Sequence, residues 1–171
     1  MEDTLQLIDQ LIEEHKAIKE KTKSIEDTAN DANLLSALSE ARETFVPGRL
    51  DHESNLQKLE EMLLEIDVWL EKHFNREETV LLKAVESHGD LVLVESLNAL
   101  LFEHSDLRFR MDHSKKRVAE LLRGDLQRHL WNAAANDVRA YLSHTRTLLE
   151  THAGMENKLF NTLRRKLKSK R

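Results

Sequence analysis

The chain has 171 residues, 40% of them apolar and 33% charged, with a net charge of −5. That length suits one domain with a sizeable core, so residues 1–171 are read as a single domain. The acidic balance argues against a general nucleic-acid partner, and the absence of Cys excludes disulfides, Cys-based zinc sites, iron–sulfur clusters and thiol nucleophiles.

Four Gly and one Pro leave few places to turn, so long helices with few connections are expected. Apolar residues recur at three- and four-residue intervals almost throughout. Leu5, Ile8, Leu11 or Ile12, Ile18 and Ile25 mark a first helix over about 4–29, ended by Asn30-Asp31-Ala32-Asn33. A shorter helical piece over about 34–46 stops at Pro47-Gly48 and forms an extended connection. The second long helix covers about 50–86, through Leu56, Leu59, Leu63, Ile66, Leu70, Val80 and Leu81. His88-Gly89-Asp90 reads as a stop followed by an N-cap, and a third helix continues over about 91–122. Gly124-Asp125 repeats that pattern before a last helix to about 166. The basic tail, residues 164–171, reads as a solvated helix end whose cations complement the dipole, with a weak anionic-surface contact as the other reading. The fold expected is all-α: an antiparallel up-down-up-down four-helix bundle with a partly helical connection between its first two helices. No apolar run reaches the ~18–20 residues that cross a bilayer, and the N-terminus lacks the regions of a signal peptide, so a cytoplasmic protein with no membrane partner is expected.

Nine His are the oddity of the composition. A helical residue shares its face with neighbours three and four positions away. His15 follows Leu11 and Ile12, His73 follows Trp69 and Leu70, His104 follows Leu100 and Leu101, and His152 follows Leu148 and Leu149. Each sits in an apolar stripe on a different long helix. A lone His on an apolar face is more often a hydrogen-bonded core residue than a ligand. Four of them, one per helix, are costly to bury unless something satisfies their nitrogens. Glu77 and Glu156 stand four residues after His73 and His152, on the same faces. Imidazole nitrogen with carboxylate oxygen and no sulfur suits iron, manganese or zinc, and two carboxylates can bridge two ions while four imidazoles fill terminal positions.

Heights can be compared through the turns. His73 and His104 have their midpoint at about 88.5, on the second turn. His104 and His152 have theirs at about 128, which requires a broad third connection, irregular over about 123–133. By height alone His144 would be the better partner of His104, but Leu148, not a carboxylate, stands four residues after it. His52 lies 21 residues before His73, roughly 32 Å along a continuous helix, and is a ligand only if Pro47-Gly48 folds it back. Glu78 projects about 100° away from Glu77 and is solvated or at most an outer partner. His113 and His129 have mixed neighbours, and His88 sits in the turn.

With His15 in LIEEHKAI, His73 and Glu77 in EKHFNREE, His104 in LFEHSDLR, and His152 and Glu156 in THAGMENKLF, the chain resembles the hemerythrin-like (HHE cation-binding) family, whose pattern is H…HxxxE…H…HxxxE. The resemblance spans essentially the whole chain and implies a non-haem di-iron centre with Glu77 and Glu156 as bridging carboxylates. It implies two iron ions, oxo- or hydroxo-bridged, with zinc or manganese as substitutes, and O2, NO or peroxide as the small-molecule partner of a monomer or homodimer. Oxygen carriers of the family have a further His four residues after the third-helix ligand; here Arg108 stands there, so the chain resembles the four-His, two-Glu branch that includes iron- and oxygen-sensing domains. Ferritin-like di-iron oxidases present ExxH pairs, and none of the nine His here has Glu three positions before it. A metal-binding module that binds O2, NO or peroxide, or whose iron occupancy reports cellular iron, is favoured over a di-iron enzyme acting on peroxide, NO or another substrate. A metal-free helical interaction module is the third reading.

Overall fold

The structure, a computed structural model, describes residues 2–31, 51–88 and 90–169. The connection expected at 34–46, with Pro47-Gly48, lies outside the described residues, as does Gly89. The elements are α1 (Glu2–Ala29), α2 (Asp51–Arg76), a π-helical turn (Glu77–Leu81), α3 (Leu82–Ser87), α4 (Leu91–Phe102), α5 (His104–Arg123) and α6 (Arg128–Ser169). Among the described residues there is no strand. No described helix is long and apolar enough to cross a membrane.

These pieces make four limbs of a helical bundle: α1, then α2–π–α3, then α4–α5, then α6. α1 packs against α2 and α6, and α5 packs against the same two helices, closing the ring. The turns follow from local chemistry. Asp90 caps α4 by accepting from the Leu93 amide at 3.2 Å. Gly124, at φ 72°, ends α5 in the left-handed conformation that costs glycine no steric strain. The Trp131 indole N–H donates to the Leu121 carbonyl at 3.1 Å, satisfying an acceptor at the end of α5 and pinning α6 against it.

Two expectations need correction. The third limb is not one uninterrupted helix. It tightens at Glu103, whose amide donates to the Leu100 carbonyl at 3.0 Å, an i→i+3 bond. The last connection is not broad either, since α6 already begins at Arg128. His104 and His152 nevertheless meet. Helical side chains lean toward the N-terminus of their own helix, so on antiparallel neighbours they lean in opposite directions. His104 therefore leans away from the connection and His152 toward it, which closes the axial offset.

The apolar core comes in two parts. One contains Ile18, Ile25, Leu59, Leu63, Leu70, Met111, Val138 and Leu142. The other contains Ile8, Leu11, Leu81, Val85, Leu97, Phe160 and Leu163. Each of the nearby limbs adds a polar residue to the layer that separates them.

Candidate metal centre

The separating layer is made of His15 on α1, His73 on α2, Glu77 on the π turn, His104 on α5, and His152 and Glu156 on α6. All six are buried, and Glu77 and Glu156 have no exposed surface. They fall into two overlapping groups with ligand atoms inside 4.8 Å of one another: His15, His73, Glu77 and Glu156; and Glu77, His104, His152 and Glu156. The two glutamates are common to both groups. Each histidine turns Nε2 inward, at 3.5 Å from Glu77 and 3.1 Å from Glu156 for His15, 3.3 Å from Glu77 for His73, 3.4 Å from Glu77 for His104, and 3.1 Å from Glu156 for His152.

The outer nitrogens are equally ordered. His73 Nδ1 is 2.8 Å from Glu14, His104 Nδ1 2.9 Å from Glu78, His152 Nδ1 2.9 Å from Glu103, and His15 Nδ1 2.9 Å from the Asn157 side-chain carbonyl. Such partners fix the tautomer that leaves Nε2 free to coordinate. The sequence reading assigned none of Glu14, Glu103 or Asn157 a part, and left Glu78 as an outer partner at most. A signal was present: each is the immediate neighbour of a ligand, Glu14 of His15, Glu78 of Glu77, Glu103 of His104 and Asn157 of Glu156. Each supports the histidine of the next limb rather than its own, so a closed ring of contacts runs around the bundle.

The π turn was also missed, and its signal is the spacing. His73, Glu77, Leu81 and Val85 follow at steps of four, and all four are buried. In an α-helix each step of four drifts by roughly 40°, so three steps would carry Val85 off the core face. A turn with i→i+5 bonding holds more residues per revolution and absorbs the drift.

The electrostatics of the layer, taken without a cation, are in conflict. Burial and the nearby Glu156 push the Glu77 carboxyl up. Burial pushes Glu156 up too, but His104, His15 and His152 outweigh it and hold it well below the usual carboxylate range. Burial alone would push His15 down, yet Glu156 and Glu77 raise it to about 10. All four carboxylate oxygens and His15 Nε2 are buried without a directed hydrogen bond. Outside the layer His88 Nε2 shares this condition among the described residues, but the buried hydroxyls do not. Thr22, Ser114 and Thr145 each donate to a carbonyl one turn back, at 2.9, 2.9 and 2.8 Å. Orphaned, like-charged carboxylates surrounded by inward nitrogens are what divalent or trivalent cations satisfy, so the donor set fits a metal pair.

The remaining histidines lie apart. His144 is exposed and faces Arg110 at 3.5 Å, so height arithmetic alone would have chosen wrongly. His113 sits against Tyr141 with ring centroids 4.6 Å apart, and His129 is exposed. His52 and His73 share the unbroken helix α2, so their backbones are separated by roughly 32 Å. Arg108 turns outward, bonding Glu78 at 2.7 and 3.2 Å and Glu71 at 2.6 Å, with its guanidinium 5.2 Å from the Phe74 ring. Phe74 in turn stacks on His104 at 4.0 Å.

Residues 6–163 match the family described as Hemerythrin HHE cation binding domain. The chain belongs to that family. Comparison with curated proteins and with solved structures gave no match. The family is one of cation-binding domains, and among the described residues the helical bundle supplies His and Glu groups that could hold a metal.

Proposed function

We propose that this hemerythrin HHE domain holds two iron ions bridged by Glu77 and Glu156, and that it binds or senses O2, NO or peroxide through that centre. His15 and His73 would complete one position, His104 and His152 the other. The observation that supports this reading best is the pair of fully buried glutamates, common to both ligand groups, whose four oxygens have no hydrogen-bond donor. Two such carboxylates in one apolar core are costly unless cations lie between them. The nitrogen- and oxygen-only donor set favours iron or manganese over the softer metals that select thiolate. A bound di-iron pair supplies reversible one-electron chemistry and an affinity for small ligands. The protein's own part is to keep four Nε2 atoms aimed inward, through Glu14, Glu78, Glu103 and Asn157, and to exclude bulk water with the flanking Phe74 and Phe160.

Metal analysis of aerobically purified protein, with a visible spectrum before and after reduction, tests the proposal. Two irons per chain with a bridged ferric band that bleaches on reduction is the expected result. A metal-free protein, or one that retains metal when Glu77 and Glu156 are both replaced by Ala, refutes it.

A further inference from the structure

The four supports of the histidine layer are not equivalent. Three are carboxylates, but His15 is backed by the neutral amide of Asn157. A charge-assisted bond to a carboxylate is stronger than one to an amide, so His15 is the most weakly anchored of the four. It also lines an opening. A half-open cleft of about 290 Å³ runs between α1 and α6, and His15 and Asn157 form its inner end. Ile12, Ile18 and Leu149 make its walls apolar. Gly154 stands on the α6 side, inside a 42-residue helix where glycine is disfavoured relative to alanine, and a Cβ placed there would meet nothing within 4 Å. At the rim the Glu150 charge is met by Arg146 at 3.0 Å and that of Lys16 by Glu13 at 2.6 Å. Lys19 is also at the rim, and Arg146 is shared between Glu150 and Glu26, so the charges around the mouth are balanced.

We infer that the cleft between α1 and α6 is the approach by which small ligands of two or three heavy atoms reach the centre, with the His15–Asn157 pair as the wall that yields to them. The inference rests on the metal centre proposed above, and specifies how that centre is reached. The apolar walls and the vacant space at Gly154 admit a slender ligand, and the weakest outer bond of the layer lies at the inner end.

Azide is the probe. Gly154→Leu adds a side chain on the α6 side of the cleft, at a position where a Cβ meets nothing within 4 Å and where the helix gains propensity. In stopped-flow measurements on the iron-loaded protein, G154L is expected to slow azide association and dissociation together by roughly tenfold, leaving Kd and the two-iron content unchanged. A route affects rates in both directions and not the equilibrium. Ala140→Leu, on the separate groove lined by His113, Tyr141 and His144, serves as the control and should react at the parent rate. Equal azide rates in G154L and parent, or equal slowing by A140L, would overturn the inference. A second readout needs no metal. In the metal-free protein, dissolved O2 should relax the His15 ring protons more strongly than those of His104, and G154L should remove the difference; no difference in the parent would also overturn it. Absence of iron from the parent protein would instead remove the proposed function, and the relaxation measurement would still decide whether the cleft gives access to His15.

Discussion

Removing metal from this bundle should lower its melting temperature substantially while leaving its helices in place. Four carboxylate oxygens of Glu77 and Glu156 are buried without a donor, at ~1–3 kcal/mol for each unsatisfied polar atom, so the layer alone sets a cost of roughly 4–12 kcal/mol that bound cations relieve. Mass action gives a similar lower bound, about 4 kcal/mol when free metal exceeds its Kd a thousandfold. For a chain of this size ~1 kcal/mol corresponds to roughly 2–4 °C, so the metal-free protein should melt about 8–16 °C lower at the least. Two apolar clusters remain on either side of the layer, which is why collapse and helicity should survive. Glu77→Gln sharpens the test. Burial and Glu156 push the Glu77 carboxyl up, and a carboxyl raised in the folded state opposes folding wherever it is ionised in the unfolded chain. E77Q should therefore melt higher than the parent when both are metal-free, yet gain little from added metal. The assay is thermal unfolding by circular dichroism at pH 7, with and without iron at matched protein concentration. Equal melting temperatures for the loaded and metal-free parent would refute the reasoning, as would an E77Q variant that keeps the full metal-induced increase.

Metal uptake should release protons. At pH 7 the metal-free His15, raised to about 10, holds a proton that coordination must displace. Apparent affinity should then rise by about tenfold per pH unit for that one proton until pH approaches 10, read as proton release into a weak buffer. The same shift makes the protonated His15 a stabiliser of the metal-free fold: its contribution is full below 6.5 and is lost as pH rises through about 10. Glu103→Ala and Glu78→Ala each remove an outer partner of one histidine, and should weaken metal binding by roughly 10–100-fold without emptying the site, measured by competition with a chelator. Glu156→Ala takes a ligand from both positions at once and should abolish the two-metal stoichiometry; retention of two ions would show that it does not bridge. His52→Ala should leave metal content unchanged, because α2 is unbroken between it and His73.

The sequence alone determined the helical class, the turns at Asp90 and Gly124, and the family, because these depend on local chemistry and on the 3.6-residue period. The same period put His15, His73, His104 and His152 on apolar stripes, and spacing by four placed Glu77 and Glu156 beside two of them. Sequence could not decide how heights match across a connection. His152 rather than His144 meets His104 because side chains on antiparallel helices lean toward one another, a fact of packing and not of residue count. Nor could a one-dimensional reading pair Glu14 with His73, 59 positions away, or Asn157 with His15, 142 positions away. Those bonds join different limbs, and only the closed bundle brings them within reach. The amide at Asn157 is visible as a letter in the sequence. That it backs the layer histidine lining the cleft between α1 and α6 is decided by the tertiary structure, since both the cleft and the bond exist only where those helices lie against each other.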